Sequence, residues 1–244
     1  MGVCPHCDGG HKSPCYAEYV DGYKCFSCGV SKSYNNHRMA VMGRTRPTIK
    51  KDMHIPNHIS NPKLFNVGVL QWLYSYYVFD DLIRKHNISY IEDGNKLLMQ
   101  VVKDNVVVFA QTRSFPEKRI MGIGDKQLNK IKTGSKKLVI VEDYISAIRI
   151  GEFCDCYCLF GTYLQLSELR DILSNYNDIS VWLDNDTAGI EGRKKMLKAL
   201  NNQAKENKIK FPLRYTQDWS IVSIKSEKDP KCYSSREIER RIYE

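Results

Sequence analysis

Short apolar runs of β-favouring residues, separated by segments of helix length, constrain the fold of this 244-residue chain more than any other feature. The three most informative runs cover residues 138–141, 179–183 and 221–224. Uninterrupted runs of four or five such residues are typical of strands that are buried on both faces of a parallel sheet. The sequence therefore predicts an α/β fold with a Rossmann-like, mostly parallel sheet.

Acidic residues follow each of these runs. Glu142 follows the first run, Asp184 and Asp186 close the second, and Asp229 comes shortly after the third. Open parallel sheets place their chemistry just beyond the carboxyl ends of the strands. Hard cations such as Mg²⁺ prefer carboxylate oxygens, and residues two apart in an extended segment point to the same side. We therefore expect a divalent-metal site at this edge of the sheet.

A second interpretation of these acidic residues is that they cap helices. Asp186 or Thr187 suits the N-cap of a helix that starts near Ala188, and Glu142 suits the N-cap of the helix that follows it. Taken singly, each residue fits this role better than that of a metal ligand. Their recurrence at three strand ends favours the metal interpretation.

Two C-x₂-C pairs near the amino end predict a structural zinc site. The pairs are separated by the seventeen residues of positions 8–24, and their four cysteines are Cys4, Cys7, Cys25 and Cys28. Four thiolates at this spacing can close a tetrahedron around one Zn²⁺. Disulfides or a redox motif are alternatives, but there is no secretory signal and no βαβ pattern around the pairs.

The residues between the cysteine pairs read as a β-hairpin over 16–20 and 23–26, and so predict an all-β zinc ribbon over residues 1–34. Residues 35–63 are rich in Asn, Pro and charge and read as a flexible linker. The remaining chain divides into a mixed segment over 64–135, with a helix over 69–85 and strands over 97–102 and 105–113, and an alternating β-α segment over 136–244 that includes a strand at 211–215.

The charge distribution favours a polyanionic partner. The chain has 37 Lys and Arg against 28 Asp and Glu, a formal net charge of +9. Many cations flank the acidic residues in sequence: Lys118, Arg119, Lys126, Lys130, Lys132, Lys136, Lys137, Arg193, Lys194, Lys195, Lys198, Lys205, Lys208 and Lys210. Phosphodiester chemistry needs cations for phosphates and carboxylates for metals. For residues 193–198, an ordinary solvated helix face is an equally good interpretation.

Hydropathy and cysteine usage predict a protein of the cytoplasm, or of the host cytoplasm if the chain is viral. No apolar run approaches the eighteen residues of a membrane span, and the nine cysteines occur without a secretory segment. Cys154, Cys156 and Cys158 alternate along a predicted strand, and we expect them to be buried as small apolar side chains.

Four motifs, in this order, resemble the TOPRIM domain of bacterial and bacteriophage DNA primases of the DnaG type. They are VEDYISA at 141–147, FGT at 160–162, WLDNDTAG at 182–189 and KDPK at 228–231. The resemblance spans residues 136–232, and the cysteine pairs add a zinc ribbon. It implies that Glu142 is the motif glutamate with an acid/base or metal role, that Asp184 and Asp186 form the metal-binding DxD, and that Asp229 is the acidic residue of the last motif. Many relatives have a further acidic residue near Cys232, which this chain lacks.

The resemblance implies a primase core over residues 64–244. Its activity is nucleotidyl transfer, in which short RNA primers are made from ribonucleoside triphosphates on a single-stranded DNA template during phage DNA replication. It implies one structural Zn²⁺ and two catalytic Mg²⁺ or Mn²⁺ ions, with Glu142, Asp184, Asp186 and Asp229 as ligands. The residues implied for nucleic acid and nucleotide binding are Arg113, Lys118, Arg119, Lys126 and Lys228.

Two other functions stay open at this point. One is a non-catalytic, single-stranded DNA-binding protein similar to recombination mediators, and the other is a TOPRIM nuclease. The complete Glu and DxD set argues against the first, and the ribbon argues against the second. No G-x-x-x-x-G-K-[ST] motif occurs, so we expect a separate replicative helicase as partner.

Overall fold

The computed structural model describes residues 53–210 and 218–244, together with the backbone of three strands nearer the amino end. The chain forms two units, Met1–Lys50 and Lys51–Glu244. In the first unit, three strands form an antiparallel sheet: β1 Tyr16–Tyr19, β2 Gly22–Cys25 and β3 Ser31–Ser33. Strands β1 and β2 pair as the hairpin that the sequence predicts. The zinc ligands Cys4, Cys7 and Cys28, and the side chain of Cys25, lie outside the described residues.

The second unit begins with a helical pair and a four-stranded antiparallel sheet. The helices are α1 Val67–Ser75 and α2 Asp80–Lys85. The strands, in sheet order, are β4 Ile88–Ile91, β5 Lys96–Lys103, β6 Val106–Ser114 and β7 Ile120–Ile123. β5 and β6 correspond to the predicted strands, and the tight turn between them is made by Asp104 and Asn105 with φ of 50° and 61°.

The helical segment predicted as continuous over 69–85 is broken in the structure. Tyr77 adopts the left-handed conformation, with φ of 61°, and the N–H of Val78 donates to the carbonyl of Leu73 at 3.1 Å. This bond ends α1 and turns the chain, so that Val78 and Leu73 are both fully buried. A straight helix would separate these two apolar side chains, and core burial therefore outweighs helical periodicity here.

Residues 53–63, which the sequence assigns to the linker, contact the four-stranded sheet. Ile59 forms a β-bridge with Tyr90 through two hydrogen bonds of 2.7 and 2.8 Å. Ile55 packs against the small cluster around Ile91. A short 3₁₀ turn, Pro62–Leu64, then leads into α1. Residues 35–52 of the predicted linker lie outside the described part of the chain.

The remaining strands form a five-stranded sheet in which all neighbours are parallel except the outermost pair β10 and β8. In spatial order the strands are β12 Ser220–Ser223, β11 Asp178–Val181, β9 Lys137–Val141, β10 Asp155–Cys158 and β8 Asn129–Ile131. The helices are α3 Tyr144–Ile150, α4 Leu166–Asn175, α5 Thr187–Lys210 and α6 Ser235–Tyr243. The predicted mostly parallel α/β sheet is confirmed. The predicted strand at 211–215 lies outside the described residues.

Helices cover both faces of this sheet. On one face, α3 and α6 pack over Val139 and Val141, and on the other α4 and α5 pack over Leu138 and Ile140. The first of these cores continues into α1, α2 and β4, so the two sheets of this unit share one hydrophobic core. Cys154, Cys156 and Cys158 are fully buried in it, as the sequence predicts. None of the described helices has the length and apolarity that a membrane crossing needs.

Candidate active site

The predicted acidic residues come together at one edge of the five-stranded sheet. Glu142 directly follows β9, Asp184 and Asp186 follow β11, and Asp229 follows β12. These three strands are adjacent and parallel, so their carboxyl ends meet. The side chains of Asp184 and Asp229 both contact the ammonium of Lys231. The arrangement therefore agrees with the cluster that the strand ends predict.

The capping interpretation is wrong for Glu142 and correct for its neighbour. Asp143 is the N-cap of α3, and its carboxylate accepts hydrogen bonds from the N–H groups of Ile145 and Ser146 at 3.0 and 3.1 Å. It also accepts one from the Ser146 hydroxyl at 2.6 Å. Asp143 supplies the cap, so Glu142 has no structural task at the helix start.

The loop that carries Asp184 and Asp186 is packed tightly against the start of α5. Asp186 accepts a hydrogen bond from the N–H of Gly189 at 2.7 Å, which confirms the capping interpretation for this residue. A Cβ on Gly189 would lie 2.2 Å from the carbonyl oxygen of Asp184. Only glycine fits there. The first turn of α5 thus fixes the backbone on which both aspartates sit.

Lys231 lies inside the acidic cluster. Its Nζ is 3.0 Å from Asp143 Oδ2, 3.0 Å from Asp229 Oδ2 and 3.8 Å from Asp184 Oδ2, and its side chain is only 14% exposed. Burial lowers the pKa of Lys231, but the three carboxylates outweigh burial and raise it. The three carboxylates thus favour the charged form of Lys231 in the middle of the site.

Two carboxylate oxygens of the cluster are buried without a hydrogen-bond partner, Glu142 Oε2 and Asp184 Oδ1. Burial, followed by the charges of Asp143, Asp229 and Glu142, raises the pKa of Asp184 to about 7 even though Lys231 opposes the shift. Burial and the neighbouring aspartates also raise the pKa of Glu142. Buried acceptors without donors are costly, and carboxylate oxygens of this kind are donors that suit a hard cation.

The loop after β12 is held rigidly by aromatic residues. Trp182 is fully buried and donates from Nε1 to the hydroxyl of Ser226 at 2.8 Å. The hydroxyl of Tyr233 accepts the N–H groups of Glu227 and Lys228 at 3.2 and 3.1 Å. The short 3₁₀ turn Pro230–Cys232 follows. These contacts tie the loop that carries Asp229 and Lys231 to the core.

Two of the predicted basic residues lie beside the cluster. The guanidinium of Arg113 stacks on Trp72 at 4.4 Å from the ring centroid. Burial lowers its pKa, against the opposing influence of Tyr76 and Asp143. Lys126 lies beside Gly161, because its Nζ is 3.0 Å from the position that a Cβ on this glycine would take. The N–H of Gly161 in turn donates to the carbonyl of Glu142, which places Lys126 near the cluster.

The other basic residues of the prediction are exposed. Lys118 and Arg119 lie in the turn between β6 and β7, and Lys228 lies in the loop that leads to Asp229. Among the described side chains, no group of three or more His, Cys, Asp or Glu converges closely enough to hold a metal ion. Within the cluster, the ammonium of Lys231 lies between Asp143, Asp184 and Asp229.

Sequence reasoning missed Asp143 and Lys231. Asp143 is adjacent to Glu142, and the sequence alone does not tell which of two neighbouring acids turns toward the helix. Lys231 was part of the quoted KDPK motif. The one available signal was that this lysine stands two residues after Asp229 in the same motif.

Residues 137–212 match the Toprim domain family. The matched stretch runs from β9 to just beyond α5, and so contains Glu142, Asp184 and Asp186. No match was found among curated proteins.

Solved primase structures share this fold at low sequence identity. The primase fragment of the bacteriophage T7 primase-helicase protein is 14% identical, with 97% of each chain covered and a TM-score of 0.51. The DnaG primase catalytic domain bound to single-stranded DNA is 12% identical, with 75% of this chain and 73% of that chain covered and a TM-score of 0.56. The Aquifex aeolicus primase, with zinc-binding and RNA polymerase domains, is 14% identical, with 98% and 77% covered and a TM-score of 0.55.

These comparisons confirm the resemblance to DnaG-type primases; the first three motifs lie within the matched stretch, and the KDPK motif at 228–231 lies beyond it. The chain contains a Toprim domain and has the fold of the DnaG-type primases.

Proposed function

We propose that this chain is a DNA primase, a nucleotidyltransferase that makes short RNA primers from ribonucleoside triphosphates on single-stranded DNA in phage replication. The main support is the acidic cluster at the carboxyl ends of three adjacent parallel strands. In this cluster, Glu142 Oε2 and Asp184 Oδ1 are buried and have no hydrogen-bond partner. A purely structural cluster would satisfy these oxygens. Together with the Toprim domain and the primase fold, they favour phosphoryl-transfer chemistry at this edge.

The donor chemistry of the cluster, carboxylate oxygens from neighbouring loops, suits a hard divalent cation such as Mg²⁺ or Mn²⁺. Glu142, Asp184 and Asp186 would hold it, because oxygen donors of this kind suit such ions and two of the oxygens have no other partner. When bound, the cation supplies charge to activate the primer 3′-hydroxyl and to stabilise the pyrophosphate that leaves. Asp229 already contacts Lys231, and its share in metal binding is the least supported of the four.

The basic residues around the cluster would bind the substrates. Arg113 is oriented by stacking on Trp72, which suits it to hold a phosphate beside Asp143. Lys126 lies beside Gly161, whose N–H donates to the carbonyl of Glu142, and would bind a second phosphate there. Lys118, Arg119 and Lys228 are exposed and would bind the template strand by charge. The partner is single-stranded DNA, by analogy with the DnaG catalytic domain bound to it, and a separate helicase would supply unwinding.

We further propose that Cys4, Cys7, Cys25 and Cys28 bind one structural Zn²⁺, and that the amino-terminal unit selects the template site. The spacing of the cysteines and the β1–β2 hairpin between the pairs support this. Metal analysis of protein purified without chelators should find one zinc per chain. Protein without zinc would contradict the assignment.

The deciding experiment measures incorporation of labelled ribonucleotides into short products on random single-stranded templates, with Mg²⁺ or Mn²⁺. We expect primers from the wild-type chain and none from Asp184→Asn. A matched control is Asp171→Asn, which removes an aspartate on α4 that pairs with Lys130. No product from wild-type protein that still binds single-stranded DNA would favour the non-catalytic alternative, and cleavage of the template would favour the nuclease.

A further inference from the structure

We propose that Lys231 acts as a built-in cation in the acidic cluster and takes the place of one of the two divalent ions, so that the site binds a single Mg²⁺ or Mn²⁺. This inference rests on the proposed function, because it concerns the same carboxylates. It changes the expectation of two catalytic metals to one metal and one fixed ammonium.

The contacts of Lys231 are those of a cation at the centre of a site. Its ammonium contacts carboxylates from three separate loops: Asp143 after β9, Asp184 after β11 and Asp229 after β12. The two shorter distances, 3.0 Å each, are charge-assisted hydrogen bonds. A lysine on an ordinary surface pairs with one carboxylate and stays largely solvated. Lys231 is 14% exposed.

The position of Lys231 is fixed by its backbone. The residue lies in the 3₁₀ turn after Asp229, directly behind the buried Pro230. Tyr233, itself buried, anchors the preceding loop, and the ring of Tyr76 lies 5.9 Å from the ammonium. The side chain therefore does not need to be ordered by a substrate, and its charge is present in the free protein.

The oxygens that remain suit one ion. Lys231 contacts Asp143, Asp229 and one oxygen of Asp184, while the other oxygen of Asp184 and one oxygen of Glu142 have no partner. Paired catalytic metals lie about 3.5–4 Å apart and share carboxylates. A second ion between Asp184 and Asp229 would have to occupy the space of the ammonium, against its charge.

The roles of two acids follow from this arrangement. Asp143 and Asp229 would serve as positioning residues that hold Lys231, while Glu142, Asp184 and Asp186 would hold the single metal. Asp229 is then no metal ligand, in contrast to the expectation from the sequence. Because Lys231 keeps its charge, the site would need only one divalent ion to balance the phosphates that enter it.

The experiment is a titration of the full, zinc-loaded chain with Mn²⁺, in which free Mn²⁺ is measured by electron paramagnetic resonance. We expect one Mn²⁺ per wild-type chain and two per Lys231→Asp chain, because the variant exchanges the fixed cation for a further ligand. The matched control is Lys225→Asp, an exposed lysine in the same loop with the same change of charge. It should keep one Mn²⁺.

The titration distinguishes a failure of the role of Lys231 from a failure of the metal assignment. Two Mn²⁺ per wild-type chain, or one per folded Lys231→Asp chain, would overturn the role of Lys231 and leave the proposed function intact. No Mn²⁺ on wild type or variant would overturn the metal assignment itself, and this inference with it.

If Lys231→Asp does not fold, Lys231→Met keeps the aliphatic stem and removes the charge. We expect it to bind Mn²⁺ at least tenfold more tightly than wild type, with a larger rise of melting temperature on adding Mg²⁺. Equal affinity in the two proteins would overturn the proposal.

Discussion

The two ends of the five-stranded sheet bury acidic residues in opposite ways. At the amino ends of the strands, Asp155 is 3% exposed and accepts hydrogen bonds from the N–H groups of Thr133, Gly134 and Ser135 at 2.7–3.1 Å. The Tyr176 hydroxyl adds a bond of 2.5 Å. Burial alone would raise the pKa of Asp155, but these hydrogen bonds lower it. The ionised carboxylate of Asp155 is therefore the form whose hydrogen bonds are all made.

At the carboxyl ends, Glu142 and Asp184 lack such a set of donors. Glu142 and Asp184 each have a buried oxygen without a partner, and the pKa of each carboxyl is raised. The compared acids belong to the same sheet, on neighbouring strands, and differ in the donors that the surrounding loops supply. The comparison shows that burial alone does not mark a functional acid. A functional acid is better indicated by burial together with a lack of hydrogen-bond donors.

The largest difference should appear in catalysis. Asp184→Asn keeps the shape of the side chain but removes the charge that a metal needs, so primer synthesis should fall about a thousandfold or more, roughly 4 kcal/mol of transition-state stabilisation. Gel analysis of labelled primers measures this. Synthesis within tenfold of wild type would show that the carboxyl-end acids are not the metal ligands.

The same substitution at the amino end should affect folding instead. Asp155→Asn leaves buried N–H donors without a charged acceptor, and we expect a loss of about 3 kcal/mol in the free energy of unfolding. Urea denaturation measures it, with Asp184→Asn as the matched variant that should not destabilise the protein. Equal destabilisation by the two variants would remove the distinction between the ends.

The pH dependence of stability should have opposite signs at the two ends. The folded-state pKa of Asp184, about 7, lies above its usual value of 3.8, so its contribution is fully present below pH 3.8 and is lost as the pH rises through 7. For Asp155 the pKa is lowered, so its contribution is present above pH 3.8 and is lost on acidification.

Without added metal, wild type should therefore lose about 2 kcal/mol between pH 5 and pH 8 relative to Asp184→Asn. Thermal unfolding across this range, with and without Mg²⁺, tests the expectation. Parallel pH profiles for the two proteins would contradict it.

A smaller effect should come from the packing beneath the cluster. Replacing glycine by alanine in an exposed helix usually stabilises the protein. At Gly189, however, the added Cβ would lie 2.2 Å from the carbonyl oxygen of Asp184, so Gly189→Ala must shift the loop. We expect a loss of about 1–2 kcal/mol in stability, together with weaker primer synthesis. The exposed Asn202 on the same helix is the control, since Asn202→Ala should stabilise slightly. A stabilised, fully active Gly189→Ala would show that the loop is not held this way.

The sheet and the meeting of its acids could be predicted because they depend on local pattern. Buried parallel strands leave uninterrupted apolar runs, and the carboxyl ends of adjacent strands must meet. The break at Tyr77 could not be predicted, because its left-handed backbone is set by burial of Val78 and not by a glycine or asparagine signal.

The position of Lys231 among the carboxylates also could not be predicted from the sequence. Its partners lie in three loops that are distant in the chain, so neither spacing nor composition reports that one lysine would lie between them. Asp143 and Glu142 show the same limit at closer range. Asp143 caps α3, whereas Glu142 has a buried oxygen without a partner. The directions of the two side chains decide this difference, and only the packed structure defines those directions.

Phe160 gives the two sheets of the second unit a mechanical link. Its ring lies 5.0 Å from that of Phe109 on β6 and 6.0 Å from that of Tyr144 on α3, and the next residue, Gly161, donates to the carbonyl of Glu142. Any sliding of the antiparallel sheet past the parallel one would pull on this ring and so on the backbone of Glu142. The backbone of Glu142 is thus connected, through Phe160 and Gly161, to the packing between the two sheets.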